Sequence, residues 1–287
     1  MQPIHVYACQ NILGEGPLWN PKEGAIYWVD IVGRKIQRYD PATGKYGSFN
    51  TPYQTGFIAF REKGGMVCGT ENGFFFCNPG SGEIEFITHP EEGKEGARFN
   101  DGKVDRMGRL WAGTMTPHDA TSALYRLDTN LKVSKMVDKV TISNGIGWSP
   151  DNSLMYYADS NRYVIYCFDF DIQSGEISNR RTFAQMDASQ GVPDGLTVDS
   201  EGYVWCAIYN GWKVMRFTPG GEISAEIKMP VSRPSSCTFG GVGMDELYIT
   251  SISEGLSTHQ KEKEPLAGDL FKVRTKTKGI PEPFFAG

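Results

Sequence analysis

The sequence predicts an all-β protein, a six-bladed β-propeller with four antiparallel strands per blade, and three observations carry that expectation. A polar residue followed by glycine recurs at steps of 40 to 50 residues: Glu15-Gly16, Thr55-Gly56, Asp101-Gly102, Asn144-Gly145 and Asp194-Gly195, with Ser235-Ser236 as a degenerate sixth copy. Each copy leads into short strand-like segments separated by turn chemistry, and no window sustains a 3.6-residue apolar period. The step length is that of a propeller blade.

The first strand of each repeat is expected just after the glycine, as in Pro17-Leu18-Trp19, Lys103-Val104-Asp105 and Leu196-Thr197-Val198. The second is more apolar and aromatic, as in Ala25-Ile26-Tyr27-Trp28-Val29 and Tyr203-Val204-Trp205-Cys206, which suits a packed pleated surface. The third alternates, as in Lys35-Ile36-Gln37-Arg38-Tyr39, so one face is buried and the other wetter. Hairpin chemistry such as Asp40-Pro41-Ala42-Thr43-Gly44-Lys45 then leads to a fourth strand. Ile4-His5-Val6-Tyr7-Ala8 is expected to complete the last blade beside Leu270-Phe271-Lys272-Val273, closing the ring and hiding a sheet edge. No linker interrupts the pattern, so residues 1–287 are expected to form one domain. The irregular stretches at Pro90–Gly96 and Gly255–Gly268 are expected to border one end of the channel.

Composition narrows the function classes. Hydrophobic residues make up 39% of 287, enough for a core, and no apolar run approaches the roughly 18 residues of a membrane helix. Net charge is −5 and the 29 basic residues are scattered, which argues against nucleic acid and for a small-molecule partner. Met1-Gln2-Pro3-Ile4-His5 lacks a basic region followed by an apolar stretch, so the cytoplasm is the expected location. Six cysteines without a CxxC pair read as buried free thiols, and four histidines without HxH or HExxH spacing argue against a nitrogen and sulfur zinc site.

Repeats related by a propeller axis bring equivalent positions to one height around the channel, so Glu15, Asp101, Asn144 and Asp194 are expected to converge. Three crowded carboxylates repel unless a cation or proton intervenes. Carboxylate and amide oxygens suit a hard cation such as Ca²⁺, Mg²⁺ or Mn²⁺, and three or four of them leave coordination positions for water or substrate. The alternative is that these residues only cap strand ends around a water-filled channel. Arg98 and Asn100, just before the third glycine, are expected to face the same space.

Gly14-Glu15-Gly16-Pro17, Arg98-Phe99-Asn100-Asp101-Gly102-Lys103-Val104-Asp105, Gly113-Thr114-Met115, Ile142-Ser143-Asn144-Gly145, Ile177-Ser178-Asn179-Arg180-Arg181 and Pro193-Asp194-Gly195 occur in this order. Together they resemble the regucalcin (senescence marker protein), gluconolactonase and luciferin-regenerating enzyme family. The resemblance implies one divalent metal ion (Ca²⁺, Zn²⁺, Mn²⁺, Mg²⁺ or Fe²⁺) held by Glu15, Asn144 and Asp194, with Arg98 and Asn100 contacting substrate. It also implies hydrolysis of sugar lactones, with Asp194 as general base. A carboxylate bound to a cation is a poor base, so ligation ranks above base catalysis for Asp194. Asp101 is left as an auxiliary group. Family members close to regucalcin carry a longer acidic loop after Gly-Thr-Met that contacts substrate, whereas Thr116–Ser122 here is short.

Two other functions share these residues: phosphotriester or organophosphate hydrolysis, and calcium binding without catalysis. A WD-type scaffold is disfavoured, since neither Gly-His nor Trp-Asp occurs. His118 and His259 lie in predicted loops that could approach the channel mouth, and Tyr209-Asn210-Gly211-Trp212 could wall it.

Overall fold

A computed structural model describes residues 1–117 and 120–287, so His118 lies outside the described residues. Among the described residues the strands form six four-stranded antiparallel sheets. Five are built from consecutive strands, and the sixth pairs Ile4–Tyr7 with Leu270–Arg274, closing the ring as the sequence predicts. The innermost strands are Gly14–Asn20, Thr55–Phe60, Arg98–Val104, Ser143–Trp148, Val192–Val198 and Pro234–Gly240. Each packs against the next and the last against the first, which makes the assembly a six-bladed propeller around a central channel.

Six apolar clusters hold the blades together, one at each blade-to-blade interface. The second strand of a blade serves two of them at once. In Ala25–Asp30, the side chains of Ala25, Tyr27 and Val29 enter the cluster shared with the second blade, while Ile26 and Trp28 enter the one shared with the sixth. A strand buried on both faces has no polar alternation, which is why these segments read as continuous apolar runs.

One sequence expectation is corrected here. The inner strands begin before the glycine rather than after it, and the polar-glycine pair lies inside the strand, at or beside a β-bulge, rather than in a turn that starts it. All six inner strands carry this irregularity against their second strand. Glycine is needed there less for dihedral freedom than for space. A Cβ on Gly195 would lie 2.0 Å from Ser236 Oγ, one on Gly145 2.6 Å from Asp194 O, and one on Gly56 2.3 Å from Phe99 O. The neighbouring inner strand occupies that volume in each case.

At the end of the channel away from the bulges, residues 278–287 run across the molecule. Ser200 N donates to Lys278 O (2.8 Å), Arg106 Nη1 to Pro281 O (2.6 Å), Phe285 N to Phe60 O (2.8 Å) and Ala286 N to Gly108 O (3.1 Å). Phe285 is fully buried in the cluster between the second and third blades. Glu282, paired with Lys103 at 3.3 Å, and Pro283 form the floor of a void of about 30 Å³ enclosed by inner strands.

Candidate functional site

The bulges set the site. An extra residue in one strand re-aims side chains and breaks the ladder locally. In the fourth and fifth blades the bulge falls on Asn144-Gly145 and Asp194-Gly195, and in the first on Gly16-Pro17, directly after Glu15. Glu15, Asn144 and Asp194 are each only 6% exposed. Burial, reinforced by Asp101, pushes the Glu15 carboxyl up to about 8. Asp194 is likewise raised well above the carboxylate range, by burial first and then by Glu15 and Asp101. These mutual effects place the acids in one electrostatic neighbourhood, as the repeat predicts.

The amide orientation at Asn144 follows from its partner. Asn144 Nδ2 donates to Ser160 Oγ (3.0 Å), and Ser160 Oγ spends its own proton on Pro193 O (2.8 Å). Ser160 can therefore only accept from Asn144, which leaves Asn144 Oδ1 as the free end. Both Asn144 Oδ1 and Asp194 Oδ1 are buried without a hydrogen-bond partner. An unpaired buried acceptor costs about 1–3 kcal/mol, so two at one centre beside a buried glutamate need a counterpart. The donor set of two carboxylates and one amide oxygen fits a hard divalent cation. Among the described residues no group of three or more His, Cys, Asp or Glu side chains is arranged to hold a metal, so any such centre depends on the amide.

Asp101 differs from Asn144 and Asp194. In the third blade the bulge falls one step earlier, on Asn100, while Asp101 stays in the ladder opposite Gly113. Asp101 consequently lines the internal void together with Lys103 and Glu282. Burial raises its pKa against the opposing pull of Lys103. Asp105, the second acid of the same motif, is wholly buried and structural: it accepts from Arg109 Nε (2.7 Å) and Trp111 Nε1 (2.9 Å). Asp199 repeats this in the fifth blade with Trp205 Nε1 (2.9 Å) and Arg216 Nη2 (2.8 Å).

Arg98 and Asn100 flank Phe99, whose ring is buried between the second and third blades. Asn100 Nδ2 donates to Ser143 O (2.9 Å) and its Oδ1 accepts from Arg98 Nη1 (2.7 Å), which also donates to Phe99 O (3.0 Å). Burial lowers the Arg98 pKa to about 10, while Glu15, Glu254, Glu71 and Asp194 pull it up. The guanidinium thus lies within the field of the acidic centre, with Nε and Nη2 unengaged among the described residues. The loop leading to Arg98 is anchored by buried Glu91, which accepts from Tyr125 Oη (2.6 Å) and pairs with Lys94.

Several residues of this mouth were not read from the sequence. Ser160, Glu71 and Glu254 follow the second strands of the fourth, second and sixth blades, where loops differ in length and no register relates them. Tyr209 ends the fifth blade's second strand, and Asp194 and Glu254 add to the rise that burial gives its pKa. His259, by contrast, lies in the exposed short helix Thr258–Lys263 and pairs loosely with Glu262 (3.8 Å). The cysteines are all free thiols, but Cys9 and Cys77 are only partly buried where all six were expected inside, and among the described residues no helix is long and apolar enough to cross a membrane.

Fold and site together define a class: six-bladed propellers with a buried oxygen-donor centre at one end of the channel. The sequence pattern of the SMP-30/gluconolactonase/LRE-like region matches residues 13–253, and the chain belongs to that family. Regucalcin from Danio rerio is 39% identical over 284 residues, covering 97% of this chain and 96% of that protein. A 6-deoxy-6-sulfogluconolactonase from Pseudomonas putida is 36% identical over 281 residues and 96% of each chain. Among solved structures, a luciferin-regenerating enzyme superposes with a TM-score of 0.93 at 28% identity over 99% of both chains. The calcium-binding protein regucalcin from Agrobacterium tumefaciens superposes at 0.95, with 25% identity over 99% of this chain and 97% of that one.

Proposed function

We propose that the protein is a divalent-metal-dependent lactonase that opens sugar lactones to the corresponding hydroxy acids. The observation that carries this reading is the pair of orphaned buried oxygens, Asn144 Oδ1 and Asp194 Oδ1, beside buried Glu15 and in the field of Arg98. The gluconolactonase-type name of the Pseudomonas relative supports the substrate class.

Glu15, Asn144 and Asp194 would hold the ion, which supplies Lewis-acid stabilisation of the developing oxyanion. Arg98 and Asn100 orient the lactone: the free Nε and Nη2 of Arg98 donate to ring or hydroxyl oxygens, and Asn100 keeps the guanidinium aimed. Water adds at the acyl carbon, the ring C–O bond breaks, and the proton passes to the departing ring oxygen to give the hydroxy acid. Asp194 is assigned to ligation in preference to proton abstraction, because a cation would stabilise its ionised form.

The test is a panel of neutral aldonolactones and one activated phosphotriester, each assayed with Ca²⁺, Mg²⁺, Mn²⁺ and Zn²⁺ and with chelator. Chelator-sensitive lactone opening is expected, and equal or greater efficiency on the phosphotriester would overturn it. D194A is expected to lose metal binding and turnover together. An inactive D194A that still binds metal fully would instead make Asp194 the base. The Agrobacterium relative, a calcium-binding protein, supports one other reading, a binder without catalysis, and metal uptake with no turnover on any lactone would select it.

A further inference from the structure

The inner strand of the fourth blade, Ser143–Trp148, is laddered on both sides of its bulge but not within it. Ser143 pairs with Asp159 and Ile146 with Tyr157 in the neighbouring strand Leu154–Asp159, and the ladder is broken between them, at Asn144-Gly145. Asn144 therefore sits where the ladder gives no support. A side-chain bond crosses the gap instead. Tyr157, opposite Ile146, donates from Oη to Ser143 Oγ (2.6 Å), and both residues are wholly buried. Burial pushes the Tyr157 phenol up, so the hydroxyl stays a neutral donor.

Ser143 is fixed from two further directions. A Cβ on Gly113 would lie 1.5 Å from Ser143 Oγ and 2.2 Å from its Cβ, so the glycine of Gly113-Thr114-Met115 is the wall against which the serine fits. The Ser143 carbonyl, which belongs to the peptide leading into Asn144, accepts from Asn100 Nδ2 (2.9 Å). Asn100 occupies the third blade's own bulge, between Phe99 and Asp101, and its Oδ1 accepts from Arg98 Nη1 (2.7 Å). An unbroken run of hydrogen bonds and one peptide thus leads from Tyr157 through Ser143 to Asn100 and Arg98, and the same serine precedes Asn144. Two bulges in adjacent blades, one carrying a candidate metal ligand and the other a candidate substrate contact, are pinned to each other at this residue.

Resting on the lactonase reading above, we propose that Ser143 is a positioning residue, stapled by Tyr157 across the bulge so that Asn144 and the Arg98–Asn100 pair keep a fixed separation. A carbonyl can only accept, so it compels Asn100 to present Nδ2 to Ser143 and Oδ1 to Arg98. The peptide between Ser143 and Asn144 is planar, so a tilt of that plane moves the Asn144 backbone and the acceptor of Asn100 together. Ser143 and Tyr157 touch neither ion nor substrate, and what they supply is the preorganisation of the groups that do. Ser160 supports the ion side alone, since it bonds Asn144 and Pro193.

The experiment compares wild type, Y157F, S143A, Y157F/S143A and S160A, with Y248F as the control. Y157F keeps the ring that fills the core, and Tyr248 is a buried tyrosine of the sixth blade whose Oη donates to Glu246 Oε2 (2.8 Å). Calorimetric titration of the metal-free proteins gives the affinity for the tightest-binding of Ca²⁺, Mg²⁺, Mn²⁺ and Zn²⁺, and KM on D-glucono-1,5-lactone is read at saturating metal. Y157F is expected to weaken metal binding about tenfold and to raise KM about fivefold, with Y248F within about twofold of wild type on both. S160A is expected to weaken metal binding with KM unchanged. The double variant is expected to be no worse than S143A, because both lack the same bond. Y157F no more affected than Y248F would overturn the staple, and a change in metal affinity without a change in KM would overturn the link to Arg98. Effects that multiply in the double variant would overturn the route from Tyr157 through Ser143. A wild type that binds metal but opens no lactone would overturn the lactonase reading, while the titration, which needs no turnover, would still decide whether Ser143 positions Asn144. A wild type that binds none of the four metals would overturn both.

Discussion

At the residue scale, the decisive feature is how few atoms aim the site. Asn144 presents its carbonyl oxygen to the centre only because Ser160 has no proton left to offer it. S160A removes the acceptor that holds Nδ2, and the amide becomes free to rotate by half a turn. A residue that orients a ligand from behind is worth about 10–100-fold in metal affinity, so S160A is expected to weaken Ca²⁺ binding by that order while the fold survives. Calorimetric titration measures it, and unchanged affinity would show that Asn144 is oriented by something else. Ser160 has no counterpart in the repeat register. Nothing in the residues around it announces that it buttresses Asn144, since its role arises from a loop folding back beneath the neighbouring blade. Glu15, Asn144 and Asp194 were legible because the repeat fixes their height around the axis. Glu254 was not, because it sits at a loop position whose placement depends on tertiary contacts.

At the scale of the element, the inner strand explains both what the sequence revealed and what it misplaced. The glycine marks the blade register, as the spacing suggests, but its physical role is to let adjacent inner strands approach. G195A therefore forces a Cβ against Ser236, whose Oγ and Cβ would lie 2.0 and 2.4 Å away. Overpacking of this kind costs about 1–3 kcal/mol, which for a protein of this size lowers Tm by roughly 2–12 °C. Thermal unfolding checks it, and S236G is expected to recover part of the loss because it vacates the same volume. No change in Tm would mean that the strands can separate freely at the axis. Asp101 shows the limit of spacing as a guide. By sequence it is the acid in register, but a bulge displaced onto Asn100 returns it to the ladder and turns it toward the void. A one-residue shift in a bulge leaves no trace in composition.

At the scale of the whole molecule, the ring is held by six interfaces and by the two segments that cross-link it. Ile4–Tyr7 joins the first residues to the last blade, and residues 278–287 bind the second, third and fifth blades beneath the channel. The ring closure was legible, because an unpaired apolar strand at one terminus matched a blade lacking its fourth strand at the other. The crossing of the channel was not, because Lys278–Gly287 has no periodic pattern and gains its partners only when the ring exists. The consequence is one of traffic. A channel floored by Glu282 and Pro283 is a cul-de-sac, so under the proposed function the entering lactone and the departing acid would share a single doorway. The hydroxy acid is expected to inhibit competitively, raising apparent KM with added product while kcat stays constant in steady-state assays, and a noncompetitive pattern would reveal a second exit.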